Sequence, residues 1–172
     1  MSIVLLRLDD RLIHGQVVSG WVKALYATSI SVIDGDVAGD AFQQSLMRMA
    51  VPEGIDVYVV SAENSAGLLK GLAESAERAI VLFSQVEDLC KVHSATGLFV
   101  DSINIGGVRF RQGREKLTDS LFLSPEETRM LLELEEAGVE VEVRPTPFDK
   151  SLGFPALVKQ SSQIGAKTEE DV

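Results

Sequence analysis

Arg7, Asp9, Asp10, Arg11 and His14 crowd into one short stretch, RLDDRLIHGQVVSGW. An apolar run at 3–6 precedes it and reads as a buried first strand. From Val17 onward the apolar residues Val17, Val18, Trp21, Val22 and Leu25 recur at helical spacing. His14 therefore belongs to the loop leaving a strand, at or just before the start of the first helix. In open α/β sheets ligands bind there, outside the carboxyl ends of the strands.

That placement favours phosphate chemistry. A helix N-terminus offers free N–H groups and the positive end of a dipole, which attract an anion. Gly15 has no side chain to hold an anion off the backbone, and Gln16 follows it. Arg11 offers a planar fork for phosphate oxygens. A neutral imidazole is a good nucleophile, and Arg11 and the helix end both disfavour its protonation. Asp9 or Asp10 can orient the ring through its second nitrogen; we take Asp10 for that role. A lone histidine between a strand and a helix also serves as a cap or a packing residue, so local chemistry alone leaves both roles open.

The string DDRLIHGQV followed by Trp closely resembles the active-site signature of IIB subunits of the mannose/fructose/sorbose family of bacterial phosphotransferase systems. The resemblance runs from the first residue to the loop at 144–147. It implies a mostly parallel sheet of about seven strands. It also implies that His14 carries a phosphoryl group from subunit IIA to a sugar presented by the membrane subunits IIC and IID. The phosphohistidine is then the intermediate, with no metal and no dissociable cofactor.

Composition agrees with one soluble domain. A length of 172 residues suffices to bury a sizeable core. The formal net charge of -10 argues against nucleic acid or an anionic membrane surface as the main partner. The single cysteine, Cys90, precludes an internal disulfide and fits a reducing compartment. With only two histidines beside it, a structural zinc site is improbable. No signal peptide or membrane-spanning stretch is evident, so a cytoplasmic protein is expected, reaching the membrane through a partner.

Strand-like and helix-like segments alternate along the chain. Strands are expected at 29–33, 55–60, 79–83, 99–105 and 139–144, with a short edge strand at 121–123. Helices are expected at 37–50, with Phe42, Leu46 and Met49 as an apolar stripe, and after Ser61. A further helix is expected to open on a Ser84–Glu87 capping box. Ser124-Pro125-Glu126-Glu127 is the clearest helix start, and Gly138 the matching stop. A short helix is expected within 152–160. Such alternation predicts an α/β, three-layer fold: a mostly parallel open sheet with helices on both faces. We expect one domain over 1–160 and a disordered polar tail over 161–172.

Other residues group around the same expected sheet edge. Asn104-Ile105-Gly106-Gly107 ends the fifth strand, and IIB subunits carry a similar segment, which suggests that Asn104, Gly106 and Gly107 approach the phosphate or substrate. A tight turn is the simpler alternative. Arg109, Arg111, Arg114 and Lys116 form a basic cluster, either a solvated loop or, for Arg109 and Arg111, a docking surface for an acidic phosphodonor. Arg144 ends the last strand, and the family's VEVR segment implies a part for it in handing the phosphoryl group on. Asp34 and Asp36 are expected to shape a turn, Trp21 to fill the core, and His93 has no assigned function. Two other functions compete: a regulatory paralogue phosphorylated at His14 without transport, and a passive phosphate- or nucleotide-binding module. The latter lacks a Walker or GxGxxG motif after the first strand. An exposed edge strand would allow a homodimer.

Overall fold

The computed structural model describes residues 2–97 and 101–169, with side chains at the C-terminal end described as far as Ser161. Its centre is a seven-stranded sheet in the order β3-β2-β4-β1-β5-β8-β9. The strands are β1 (Ile3–Asp9), β2 (Ser29–Ile33), β3 (Asp56–Val60), β4 (Ala79–Phe83), β5 (Ser102–Gly107), β8 (Glu140–Val143) and β9 (Leu152–Gly153). Every neighbouring pair is parallel except β8–β9. Two short strands, β6 (Glu115–Lys116) and β7 (Phe122–Leu123), pair with each other outside this sheet.

Strand alternation sorts side chains into two cores. Leu6, Leu8, Val81, Phe83, Ile103 and Ile105 face one layer, where they pack with Leu69, Leu89, Leu131 and Phe154. Ile30, Val32, Ile80 and Leu82 face the other, with Leu12, Ile13, Val17, Trp21 and Val22. The expected three-layer α/β architecture is thus the observed one. The helices of the first layer are α4 (Ser65–Glu74), α5 (Val86–Thr96), α6 (Pro125–Glu136) and α7 (Phe154–Glu169).

The chain enters the second layer through an unusual element. Gln16–Trp21 is a π-helix, continued by α1 (Val22–Leu25). The Val22 N–H bonds the Val17 carbonyl, five residues back. Such wider turns are rare and concentrate at functional sites.

Several local expectations are corrected. The helix foreseen at 37–50 is two: α2 (Gly35–Ala38), capped by Asp34, and α3 (Ala41–Met49), capped by Asp40. The Asp40 carboxylate takes the Phe42 and Gln43 N–H groups and restarts the helix. The stripe of Phe42, Leu46 and Met49 is not core: these residues are 72%, 50% and 82% exposed. Ser84 does not cap α5; Gln85 holds that position, and the Ser84 hydroxyl is drawn to the buried Asp34 carboxylate instead. The edge strand foreseen at 121–123 lies off the main sheet. In place of a short helix at 152–160 come β9 and α7, and helical backbone continues to Glu169, where a disordered tail was expected from 161. Residues 170–172, and positions 99 and 100 of the expected fifth strand, lie outside the described residues.

The α6 start is as read. Ser124 Oγ accepts from Glu127 N–H, Glu127 Oε2 accepts from Ser124 N–H, and Pro125 opens the helix. Gly138 stops it with a φ of +94°, a region open to glycine without strain.

Candidate active site

The strand period explains why β1 builds the site. Leu6 and Leu8 face one core, so Arg7 and Asp9 face the other, towards the helix that follows His14. Both are fully buried and paired, Arg7 Nη2 to Asp9 Oδ2 at 2.9 Å. Charges at such depth persist only when paired with an opposite charge.

Asp9 is the hub. Its Oδ1 accepts from the backbone N–H and Nε of Arg11, at 3.2 and 3.0 Å. Its Oδ2 accepts from Arg7, from Arg11 Nη2 at 3.1 Å, and meets His14 Nε2 at 3.0 Å. Burial pushes the carboxyl up, but the hydrogen bonds from His14 and Arg11 and the Arg7 charge outweigh it, bringing its pKa down to about 2. An ionised Asp9 accepts only, so the imidazole nitrogen facing it carries the proton. In the neutral ring Nε2–H then donates to Asp9, and Nδ1 keeps its lone pair. Among the described residues Nδ1 has no hydrogen-bond partner, and the His14 side chain is 17% exposed.

The assignment of ring orientation to Asp10 is therefore corrected to Asp9. Asp10 lies on the turn after β1, where its N–H bonds the Gly107 carbonyl. Its Oδ2 accepts from the N–H and Nε of Arg109, at 3.0 and 3.1 Å. That pairing turns it away from the ring. Two residues later Leu12, buried, adopts a left-handed backbone with φ +55°, costly for a leucine and characteristic of functional turns. The strained turn lets Arg11 fold back onto Asp9.

Ahead of the helix, the N–H groups of Gly15, Gln16 and Val17 precede the first helical bond, which Val18 N–H makes to the His14 carbonyl at 3.0 Å. These are the free donors an anion uses. A Cβ on Gly15 would meet nothing within 4 Å, so the space beside that residue is open. Gln16 Oε1 accepts from Arg11 Nη2 at 3.0 Å and steadies that guanidinium beside the histidine.

The Asn-Ile-Gly-Gly segment is close to the site, but in a supporting capacity. Asn104 is buried opposite Arg7 in the sheet register. Its amide oxygen accepts from Arg7 Nη1, and its amide nitrogen donates to Glu142 Oε1 and to the Arg144 carbonyl. Its amide is thus fully engaged within the protein. Gly106 lies against Arg7 Nη2 and Asp9 Oδ2, and Gly107 against the Ser120 carbonyl and Arg11 Nη2. The close approach read from the glycines is real, and the groups approaching are Arg7 and Asp9 at Gly106 and Arg11 and the Ser120 carbonyl at Gly107.

Arg7 was not foreseen as the organiser. Besides Asp9 and Asn104 it donates to the carbonyls of Arg144 and Pro145, at 3.1 and 2.9 Å. One guanidinium thus ties β1, β5 and the loop after β8 together. Its signal in the sequence was a charge inside an otherwise apolar strand. Trp21 is buried as expected, yet does more than fill space. Its ring lies 5.6 Å from both the Arg7 and Arg144 guanidinium carbons, and its Nε1–H donates to the Pro145 carbonyl at 3.2 Å. Such cation–ring contacts gain strength when desolvated.

Arg144 reaches the same edge, where its guanidinium donates to the carbonyls of Pro147 and Asp149, at 2.5 and 3.0 Å. It shapes the 145–149 loop, which carries the exposed Phe148. The basic cluster divides. Arg114 pairs with the buried Glu127 and Lys116 with Asp119, while Arg109 pairs with Asp10. Arg111 has no ion-pair partner among the described residues. Cys90 is half-buried, and burial pushes its thiol up to about 11, which leaves it unreactive.

Comparison with known proteins places this geometry. The profile of the PTS sorbose subfamily IIB component matches residues 3–169, well beyond the loop at which the resemblance was expected to end. The sorbose-specific EIIB component of Klebsiella pneumoniae is 34% identical over 94% of this chain and 98% of its own. The fructose-specific EIIB component of Bacillus subtilis (strain 168) is 30% identical over 92% and 97%. The crystal structure of the IIBSor domain of the Klebsiella pneumoniae sorbose permease superposes with a TM-score of 0.85, at 32% identity, covering 93% of this chain and 98% of that one. The mannose-specific EIIAB component of Escherichia coli (strain K12) is 30% identical over 93% of this chain but only 49% of its own length. The chain therefore belongs to the IIB components of the sorbose subfamily of sugar phosphotransferase systems, phosphotransferases that carry phosphoryl groups in sugar uptake.

Proposed function

We propose that His14 is the phosphoryl carrier and that Nδ1 is the atom phosphorylated. The observation that carries this reading is the 3.0 Å contact of His14 Nε2 with Asp9, a buried carboxylate held ionised by two arginines. In the first transfer the Nδ1 lone pair attacks the phosphorus of a phosphohistidine on subunit IIA. The P–N bond to the donor breaks, and its electron pair returns to the donor ring. His14 then bears a phosphoryl group on Nδ1 and a proton on Nε2, an imidazolium whose charge Asp9 balances. Arg11 and the N–H groups of Gly15, Gln16 and Val17 supply the donors for the three equatorial oxygens. That arrangement makes Nδ1 a good leaving group. In the second transfer a sugar hydroxyl oxygen forms the P–O bond, the N–P pair returns to the ring, and the hydroxyl proton passes to water.

The donor is an IIA subunit or domain, as the name of the mannose-specific EIIAB relative suggests, and the acceptor sugar is presented by membrane subunits IIC and IID. Arg111, exposed and without an ion pair among the described residues, and the exposed Phe110 and Phe148 offer the surface on which the donor docks. No helix among the described residues is long and apolar enough to cross a membrane. We place the protein in the cytoplasm, held at the membrane by those subunits. The phosphohistidine is the only intermediate, without a metal or dissociable cofactor. Incubation with phosphoenolpyruvate, the general phosphotransferase proteins and a mannose-family IIA tests this. Acid-labile phosphate is expected on the wild type and none on His14→Ala; an unphosphorylated wild type with an active IIA contradicts it.

A further inference from the structure

Trp21 ends the π-helix that follows His14, and it is fixed from outside that helix. The Arg7 and Arg144 guanidinium carbons each lie 5.6 Å from its ring, and the Pro145 carbonyl accepts from its Nε1–H at 3.2 Å. The same carbonyl accepts from Arg7 Nη2. The ring is therefore tied to β1 and to the loop after β8 together.

The wide turn stops at this pinned residue. Val22 N–H bonds the Val17 carbonyl, and from Val22 to Leu25 the helix is already of the α type. No proline stands between 15 and 25 to distort it. The Ser19-Gly20 pair makes the distortion easy, since such pairs loosen helices. Gly20 also lets the helix come close to the 145–149 loop, because an added Cβ would lie 3.1 Å from Pro147 Cδ. A π-turn takes up one residue more than an α-turn. Were 16–21 α-helical from the same start, Trp21 would swing about 100° round the helix, and a glycine would take its place against Arg7.

The other end of the same helix carries the N–H groups of Gly15, Gln16 and Val17. We propose that Trp21 is a positioning residue for phosphoryl transfer: it holds 16–21 in the wider register and so aims those N–H groups at the phosphoryl oxygens on His14. This rests on the phosphocarrier reading and adds how its anion site is aimed. Arg7 is then the reference point for both halves of the site. Through Asp9 it sets the imidazole, and through Trp21 it sets the donors for the oxygens. Loss of Trp21 disturbs the second half and spares the first.

Trp21→Phe keeps a ring beside the guanidiniums but loses the N–H donor, and Trp21→Leu loses both. The helix register is read first, by NMR on the unphosphorylated full chain. The nuclear Overhauser contact from Val17 Hα to Val22 N–H is expected in the wild type, weakened in Trp21→Phe, and replaced in Trp21→Leu by the contact from Val18 Hα. Single-turnover transfer from phospho-IIA then reads the consequence. The rate at saturating phospho-IIA is expected to fall about tenfold in Trp21→Phe and about 10²-fold in Trp21→Leu, with the half-saturating concentration within about twofold of wild type. His14 ring ¹⁵N shifts, which report the tautomer that Asp9 sets, are expected to stay as in the wild type. Packing loss alone would lower the melting temperature without this split; should Trp21→Leu fail to fold, Trp21→Phe decides the matter. A wild-type register in the folded variants, transfer at the wild-type rate, or a changed tautomer would overturn the proposal. A wild type that takes no phosphate on His14 sinks the carrier reading instead, and the register measurement still judges whether Trp21 sets the helix.

Discussion

A Cβ on residue 106 would lie 1.8 Å from Nη2 of Arg7. Position 106 is therefore glycine because Arg7 occupies the space its side chain would need. The guanidinium cannot retreat, since it is bonded at once to Asp9, Asn104 and the carbonyls of residues 144 and 145. Gly106→Ala should break this buried pairing and cost about 3–5 kcal/mol. Gly15→Ala, where a Cβ meets nothing, should stay within about 0.5 kcal/mol of the wild type. Denaturant unfolding checks both, and equal stabilities for the two variants would contradict the assignment.

Asp9, rather than Asp10, holds the imidazole. Asp9→Asn keeps the shape but can present its amide N–H to the ring, favouring the wrong tautomer. Phosphorylation by IIA should slow by about 10²-fold or more. Asp10→Asn loosens only the Arg109 loop, and its effect should stay below about tenfold. Single-turnover rates with phospho-IIA give the comparison; a larger loss at Asp10 would return the orienting role to it.

The depressed pKa of Asp9, about 2 against an ordinary 3.8, predicts a definite pH dependence. A carboxyl whose folded value lies below its unfolded value stabilises the fold fully above pH 3.8. That contribution, about 2 kcal/mol, is lost as pH falls from there through about 2. Asp9→Asn should therefore flatten the stability profile between about pH 4 and 2 while leaving its other acid transitions in place. Unfolding free energies across that window, wild type against variant, check the sign.

At α6 the capping box is purely structural. Ser124→Ala removes the acceptor for Glu127 N–H and should cost about 1 kcal/mol. Transfer to His14 should be unaffected, because Ser124 lies outside the network of Asp9. Thermal unfolding paired with the IIA assay separates the two effects.

The alternation of strands and helices was legible because each buried strand has a short apolar run and each long helix an end signal, as at Ser124 and Gly138. The His14 turn was legible too, through the density of charge after an apolar strand. What the sequence left hidden depends on partners distant along the chain. Phe42, Leu46 and Met49 have helical spacing, but nothing in that spacing says whether a second layer covers them. Ser84 and Glu87 have capping-box spacing, yet Asp34, fifty residues away, claims the serine. The choice between Asp9 and Asp10 turns on Arg109, which reaches back from the loop after β5 to hold Asp10. Arg7 shows its meaning only once Asn104 and the loop after β8 are brought against it.

The most direct test of the account is the position of the phosphoryl group on the ring. Protein phosphorylated through IIA and labelled with ¹⁵N should show, in long-range ¹H–¹⁵N correlation spectra, phosphorus coupled to Nδ1 of His14 and a protonated Nε2. Phosphate on Nε2, or on any residue other than His14, would contradict it.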